Sequence, residues 1–452
     1  MFRRQDEPRG RVDPPRYQFH SIVTRAGAAG GGDRLSRMHR ASLNSAVVFL
    51  LLSPLALAAG ADYFPPPDSQ GGWREAKDAA GARKLAAIDT TRLDQAFEYA
   101  QRSSQHGGLL VVRHGWLVYE KYYGKGSRQA NPTMASVGKA YTSIACGIML
   151  NSKRDRIPEG LDQKVFTEKY LPEAFPLDDP LKADIKLGQL LSMAAGLHGE
   201  GSNPGFVDGQ PSVKLDPVPR VSPPLDQDMA ALRTPLWTKP GGGYSYASIS
   251  PHIASIVLRH IVGMELQQYL DERLARPMGW GVWGWGKAAS QAHTPGGGGV
   301  AVHSTDALRF AYLLLHGGKW GAQQLVPADY VALYGRPSPY QKHAPYSLMF
   351  EVNADGHVAG APRDAFFKSG AGGFGIYVIP SLDMVIYKMA GSDAQYDPAA
   401  TGIPQSYAYY DGSRDGWKPD AHSQFSDGPI GVDDGVRRVL EMVVAAVIPE
   451  NR

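Results

Sequence analysis

Met134-Ala135-Ser136-Val137-Gly138-Lys139 opens a predicted helix. The offset of three residues puts Ser136 and Lys139 on neighbouring positions of one helical face. A serine at a helix start points its oxygen into the positive end of the helix dipole. That field favours the alkoxide character a nucleophile needs, and a lysine one turn on is placed to take the proton. A Ser-x-x-Lys spacing arises by chance roughly once or twice in a chain of this length, so its weight depends on what accompanies it.

Two further segments carry matching chemistry. Pro240-Gly241-Gly242-Gly243-Tyr244-Ser245-Tyr246-Ala247-Ser248 reads as a loop that presents Tyr246. A phenol, whose ordinary pKa is about 10, serves as a general base only where nearby cations favour the phenolate, and two converging lysines meet that need. Lys368-Ser369-Gly370 falls on a predicted strand and runs into Ala371-Gly372-Gly373-Phe374. Its glycines let a substrate lie along the strand edge.

These segments resemble, in order and in element type, the S-x-x-K, Y-x-N or Y-x-S, and K-T-G elements of the β-lactamase and penicillin-binding protein superfamily of serine hydrolases. Serine replaces threonine in the last, which keeps the hydroxyl. Ile185–Leu197 is similar to that superfamily's L-L-[ST]-x-x-[SA]-G-L segment, and Gly297-Gly298-Gly299 with 304–320 to its glycine stretch and following helix. The likeness runs from about residue 85 to 448. It is class C-like, with 6-aminohexanoate-dimer hydrolases and esterases among the similar members. The resemblance implies Ser136 as nucleophile, Lys139 and Tyr246 as its activators, and the N–H groups of Ser136 and Ala371 as an oxyanion hole. Ser248, Lys368, Ser369 and Gly370 would bind substrate. Gly71-Gly72-Trp73 and Arg113-His114-Gly115-Trp116 lean toward the ester and amide hydrolases. Ser248 stands where class C enzymes carry asparagine, which turns the expectation away from β-lactams.

Composition agrees with a globular enzyme. Of 452 residues 43% are apolar and 20% charged, so disordered and fibrous classes drop out. A net charge of +3 with no dominant basic block gives no case for nucleic acid. The single cysteine, Cys146, excludes an intrachain disulfide and a cysteine-based zinc site, and none of the 13 histidines falls in an HExxH spacing. No metal or cofactor is expected. Cys146 reads as a buried structural thiol and His252 as structural.

Residues 1–37 are rich in Arg, Gly and Pro and read as disordered or mis-started. Residues 38–61 combine a basic start, the apolar run Val47–Leu52 and small residues around Ala58, the order of a secretory signal peptide. A periplasmic or secreted protein follows, tethered to a membrane only if that segment is not cleaved. Tyr63-Phe64-Pro65-Pro66-Pro67 begins a stiff linker over 62–84.

Beyond it the pattern predicts a helix over 90–104 and a hairpin of 108–113 with 116–120. It predicts a helix capped by Ser250 with Pro251 in its first turn and a stop at Gly263. Strands follow at 347–352, 365–368, 374–379 and 382–390, then a helix over 434–447. The fold class is α+β: an antiparallel sheet over 85–133 and 291–452, flanked by N- and C-terminal helices, with a mainly helical domain inserted over 134–290. The expected activity is cleavage of an ester, amide or peptide-like bond in a small molecule through a Ser136 acyl-enzyme. A β-lactamase or D-alanyl-D-alanine peptidase, and a catalytically degenerate cell-wall binding module, are the alternatives. Specificity is assigned to the Gly/Pro-rich stretches 198–225 and 392–428.

Overall fold

The computed structural model describes residues 63–199, 205–213, 227–286, 293–403, 410–419 and 435–449. The N-terminal stretch, the signal segment and much of the two Gly/Pro-rich stretches lie outside the described residues.

A seven-stranded sheet, antiparallel throughout, forms the frame. Its strands are β1 (Gly107–Arg113), β2 (Trp116–Tyr123), β3 (Tyr346–Ser347), β4 (Phe350–Val352), β5 (Phe366–Gly370), β6 (Phe374–Ile379) and β7 (Met384–Met389). Their order is β2-β1-β7-β6-β5-β4-β3, so the N-terminal hairpin docks on the C-terminal one. His114 and Gly115 join β1 to β2 with φ of 52° and 71°. Two positive φ values in a two-residue link make the turn whose twist matches a hairpin.

Side chains alternate across the sheet. Leu109, Val111, Ile386 and Tyr377 face helices α2 (Thr90–Ser103) and α7 (Gly435–Ala445), preceded in the chain by α1 (Ala79–Ala86). Leu110, Val112, Val385 and Ile376 face a larger cluster built around α3 (Gly138–Ser152) and α6 (Ser304–Leu315). Covered on both faces, β6 is wholly apolar and β7 carries a single charged residue, Lys388. Helices α4 (Gln227–Leu232) and α5 (Ile249–Val262) pack with α3 in that same cluster, so the helical insertion and the sheet share one core. Among the described residues, 134–286 give no strand to the sheet, and no helix is long and apolar enough to cross a membrane.

Three sequence expectations need correction. The stretch read as a stiff linker is packed. Phe64 lies 5.3 Å from the Trp320 ring and Trp73 stacks edge-on to Tyr312 at 5.2 Å. Asp68 pairs at 2.6 Å with the buried Arg309 of α6, which also holds Asp306 at 2.6 Å. The segment's aromatic rings outweigh its prolines, because burying each removes a large apolar surface from water. Second, 347–352 is not one strand: Leu348 and Met349 adopt φ of 44° and 73° and fold it into the β3–β4 hairpin. Third, α5 begins at Ile249 after Ser248, so Ser250 lies within the helix, although Gly263 ends it at φ 72° as expected. Trp73 and Arg113 also serve the frame, donating to Thr305 O at 3.3 Å and to Ala86 O at 2.5 Å.

Candidate active site

Ser136 sits on a 3-10 turn, Ala135–Val137, that leads directly into α3. Ala135 takes φ 48°, a conformation held by its surroundings. Met134 N donates to Val300 O at 2.8 Å and Gly299 N to Ala135 O at 3.0 Å. Backbones meet here without side chains between them. A Cβ on Gly138 would lie 2.9 Å from Gly298 Cα, and one on Gly370 would lie 2.2 Å from Met134 O. Glycine at these positions permits the close approach.

Lys139 is fully buried, and its Nζ lies 2.9 Å from Ser136 Oγ and 2.5 Å from Gly297 O. Tyr246, 5% exposed, is approached by two lysines: Lys139 Nζ stands 5.0 Å and Lys368 Nζ 5.3 Å from its ring centroid. Lys368 Nζ also donates to the Tyr246 hydroxyl at 3.3 Å and to Ser369 O at 2.8 Å. Tyr346 of β3 packs edge-on against Tyr246 at 6.3 Å. The structure thus gathers Ser136, Lys139, Tyr246 and Lys368 from helix start, loop and strand.

The remaining residues border this group. Lys368, Ser369 and Gly370 pair with Ile376, Gly375 and Phe374 of β6, whereas β4 reaches only Phe366 and Phe367. Among the described residues no strand covers the other edge of 368–370. Ala371 is exposed at the start of the turn closed by Gly373 N to Gly370 O at 3.0 Å. The buried Lys388 Nζ donates to Gly373 O at 2.5 Å and anchors that turn. Ser248, at the start of α5, abuts the glycine loop, where a Cβ on Gly297 would lie 2.7 Å from Ser248 O.

Two features escaped the sequence. The glycine stretch Gly297–Gly299, marked in the sequence only by its likeness to that of the superfamily, supplies the carbonyl that holds Lys139. A backbone oxygen as partner leaves no mark in residue type. His252, expected to be structural, is buried; it accepts from Gly296 N at 3.1 Å and reaches Asp228 Oδ1 at 2.9 Å. Burial alone raises the Asp228 carboxyl, but His252 and Arg259 outweigh it and hold it at about 2.

Cys146 lies fully buried on α3, and burial pushes its thiol up to about 12. Among the described residues no group of three or more His, Cys, Asp or Glu side chains is placed to hold a metal ion.

Solved structures with this fold include a protein provisionally assigned as a β-lactamase, from Bacteroides dorei DSM 17855. It is 21% identical with a TM-score of 0.54, over 67% of this chain and 91% of that one. A family VIII carboxylesterase is 18% identical with a TM-score of 0.53, over 80% and 98%. A protein provisionally assigned as a 6-aminohexanoate-dimer hydrolase, from Bacillus anthracis, is 18% identical with a TM-score of 0.52, over 76% and 86%. At these identities the likeness is one of fold. No curated protein matches the sequence. The β-lactamase family model, however, matches residues 93–403, well over half of the chain. With the antiparallel sheet and helices of that fold around it, the chain belongs to the β-lactamase family, within the serine hydrolases of the β-lactamase and penicillin-binding protein superfamily.

Proposed function

We propose that the protein is an exported serine hydrolase that cleaves an ester or amide bond in a small molecule through an acyl-enzyme on Ser136. The observation that carries this reading is the buried Lys139 Nζ, 2.9 Å from Ser136 Oγ, beside a tyrosine whose hydroxyl a second lysine contacts. Ser136 Oγ attacks the substrate carbonyl and its proton passes to Lys139 and Tyr246, whose flanking cations favour the phenolate. The N–H groups of Ser136 and Ala371 receive the tetrahedral anion. Its collapse breaks the carbonyl C–O or C–N bond, and the leaving group takes the proton held by the tyrosine. Water then attacks the acyl carbon, giving a carboxylic acid and restoring the Ser136 hydroxyl. Lys368, Ser369, Gly370 and Ser248 hold the polar end of the substrate, which lies along the uncovered edge of β5.

Ser248 in the place of an asparagine supports ester or linear amide chemistry, as do the carboxylesterase and 6-aminohexanoate-dimer hydrolase among proteins of similar fold. The Lys368-Ser369-Gly370 edge, suited to a carboxylate, favours the second reading, a β-lactamase or D-alanyl-D-alanine peptidase. Export rests on residues 38–61 alone.

Intact mass spectrometry after exposure to a fluorophosphonate tests the proposal, with Ser136→Ala in parallel and penicillin G and a short-chain ester as competitors. One adduct, absent from the variant and blocked by the ester, supports it. Blocking by penicillin G alone would move the assignment to the second reading. No adduct would leave a degenerate binding module.

A further inference from the structure

A line of hydrogen bonds runs from the far side of α5 to the nucleophile. Asp228 of α4 is paired with Arg259 and with His252 Nε2 at 2.9 Å. His252 Nδ1 accepts from Gly296 N at 3.1 Å. The next residue, Gly297, gives its carbonyl to Lys139 Nζ at 2.5 Å, and Lys139 meets Ser136 Oγ at 2.9 Å. Because the Gly296 N–H can only donate, Nδ1 must be unprotonated, and Nε2 then carries the hydrogen that Asp228 accepts. Asp228 therefore selects the tautomer that can hold Gly296.

The contact leaves little freedom. A Cβ on Gly296 would lie 2.5 Å from Pro251 O, and Thr142 Oγ1 of α3 donates to Gly296 O at 2.8 Å. His252 is 2% exposed. Its imidazole holds the Pro295–Gly296 amide plane and Thr142 holds the Gly296–Gly297 plane, and together they restrict the stretch of chain that carries Gly297 O to Lys139.

We propose that His252 is a positioning residue for the reaction: through Gly296 it keeps Gly297 O on Lys139 and so holds the lysine at Ser136. This rests on the acyl-enzyme reading above. His252 touches neither substrate nor nucleophile, so its loss slows acylation and leaves substrate affinity alone.

Two near-isosteric variants separate this role from a structural one. His252→Asn places an acceptor oxygen where Nδ1 stood, whereas His252→Gln keeps a donor toward Asp228 and abandons Gly296. Both are measured for the rate of fluorophosphonate labelling, for kcat and KM on a p-nitrophenyl ester, and for thermal unfolding. Asp228→Ala, which frees the tautomer, is the third variant. The expected result is that His252→Gln labels roughly tenfold to a hundredfold more slowly with KM unchanged, the scale of a small misplacement of a catalytic group. His252→Asn stays within about threefold of the parent, and Asp228→Ala falls between. If Gln and Asn lose rate equally, or if rates merely follow melting temperature, the positioning role is overturned while the Ser136 assignment stands. An unlabelled parent protein would overturn both.

Discussion

Lys368 Nζ donates to the Tyr246 hydroxyl at 3.3 Å across 122 residues of sequence, and Lys139 Nζ stands 5.0 Å from the centroid of the same ring. In the proposed mechanism a phenol so placed carries the proton between nucleophile and leaving group. Tyr246→Phe keeps the ring and its packing on Tyr346 while removing that route. Ester hydrolysis is expected to fall about 10²- to 10⁴-fold, with an unchanged circular dichroism spectrum. A loss under threefold would move the proton transfer elsewhere.

Gly370→Ala tests the backbone seat. Its new methyl would stand 2.2 Å from Met134 O, so the strand or the Ser136 turn must shift. Because Gly370 ends β5 and the new methyl would press on the backbone of the Ser136 turn and on Val137, activity is expected to fall far more than stability does. Labelling rate and urea midpoint, measured on one preparation, check this.

Asp228 gives the stability curve an acid limb. Its carboxyl titrates at about 2 in the folded protein, against an ordinary value of 3.8. A depressed folded value contributes stability that is fully present above the unfolded value and is lost as pH falls through the folded one. The shift corresponds to about 2 kcal/mol. Asp228→Asn is therefore expected to be less stable than the parent at pH 6, and the gap is expected to narrow between pH 4 and pH 2. Urea unfolding across that range measures it, and a gap independent of pH would refute the assignment.

Cys146 is the chain's sole thiol, fully buried and pushed up to about 12. Almost no thiolate exists at pH 8, and a thiol reagent cannot reach it. The native protein is expected to resist Ellman's reagent and to keep full activity in it, while the guanidinium-unfolded chain reacts at once. Rapid reaction of the native form would show that α3 opens.

The regular elements were legible wherever period and punctuation agreed. The helix at 90–104 and the strand at 374–379 are found at Thr90–Ser103 and Phe374–Ile379. The hairpin at His114-Gly115 follows from one glycine. The β3–β4 turn did not, because Leu348 and Met349 take positive φ with side chains that rarely do. Ser136, Lys139, Tyr246 and Lys368 were legible because each carries a side chain whose chemistry needs the others. Gly297 and His252 act through a carbonyl and an amide, and Asp228 lies 24 residues before His252. Nothing in residue type announces such partners. In the stretch from Tyr63, prolines suggested stiffness and hid the anchoring role of Phe64, Asp68 and Trp73.

The three backbones that meet around Met134–Gly138, Gly298 and Gly370 come from opposite parts of the chain. Long loops must close before any two of them touch, which is the entropic burden that slows folds rich in distant contacts. The seat of the nucleophile therefore has no local precursor: a chain with its helices formed and half its sheet paired still holds an ordinary serine. On the proposed reading of Ser136, the hydroxyl meets its strand and glycine-loop neighbours only when these distant segments close, so a nascent or partly threaded chain presents it without them.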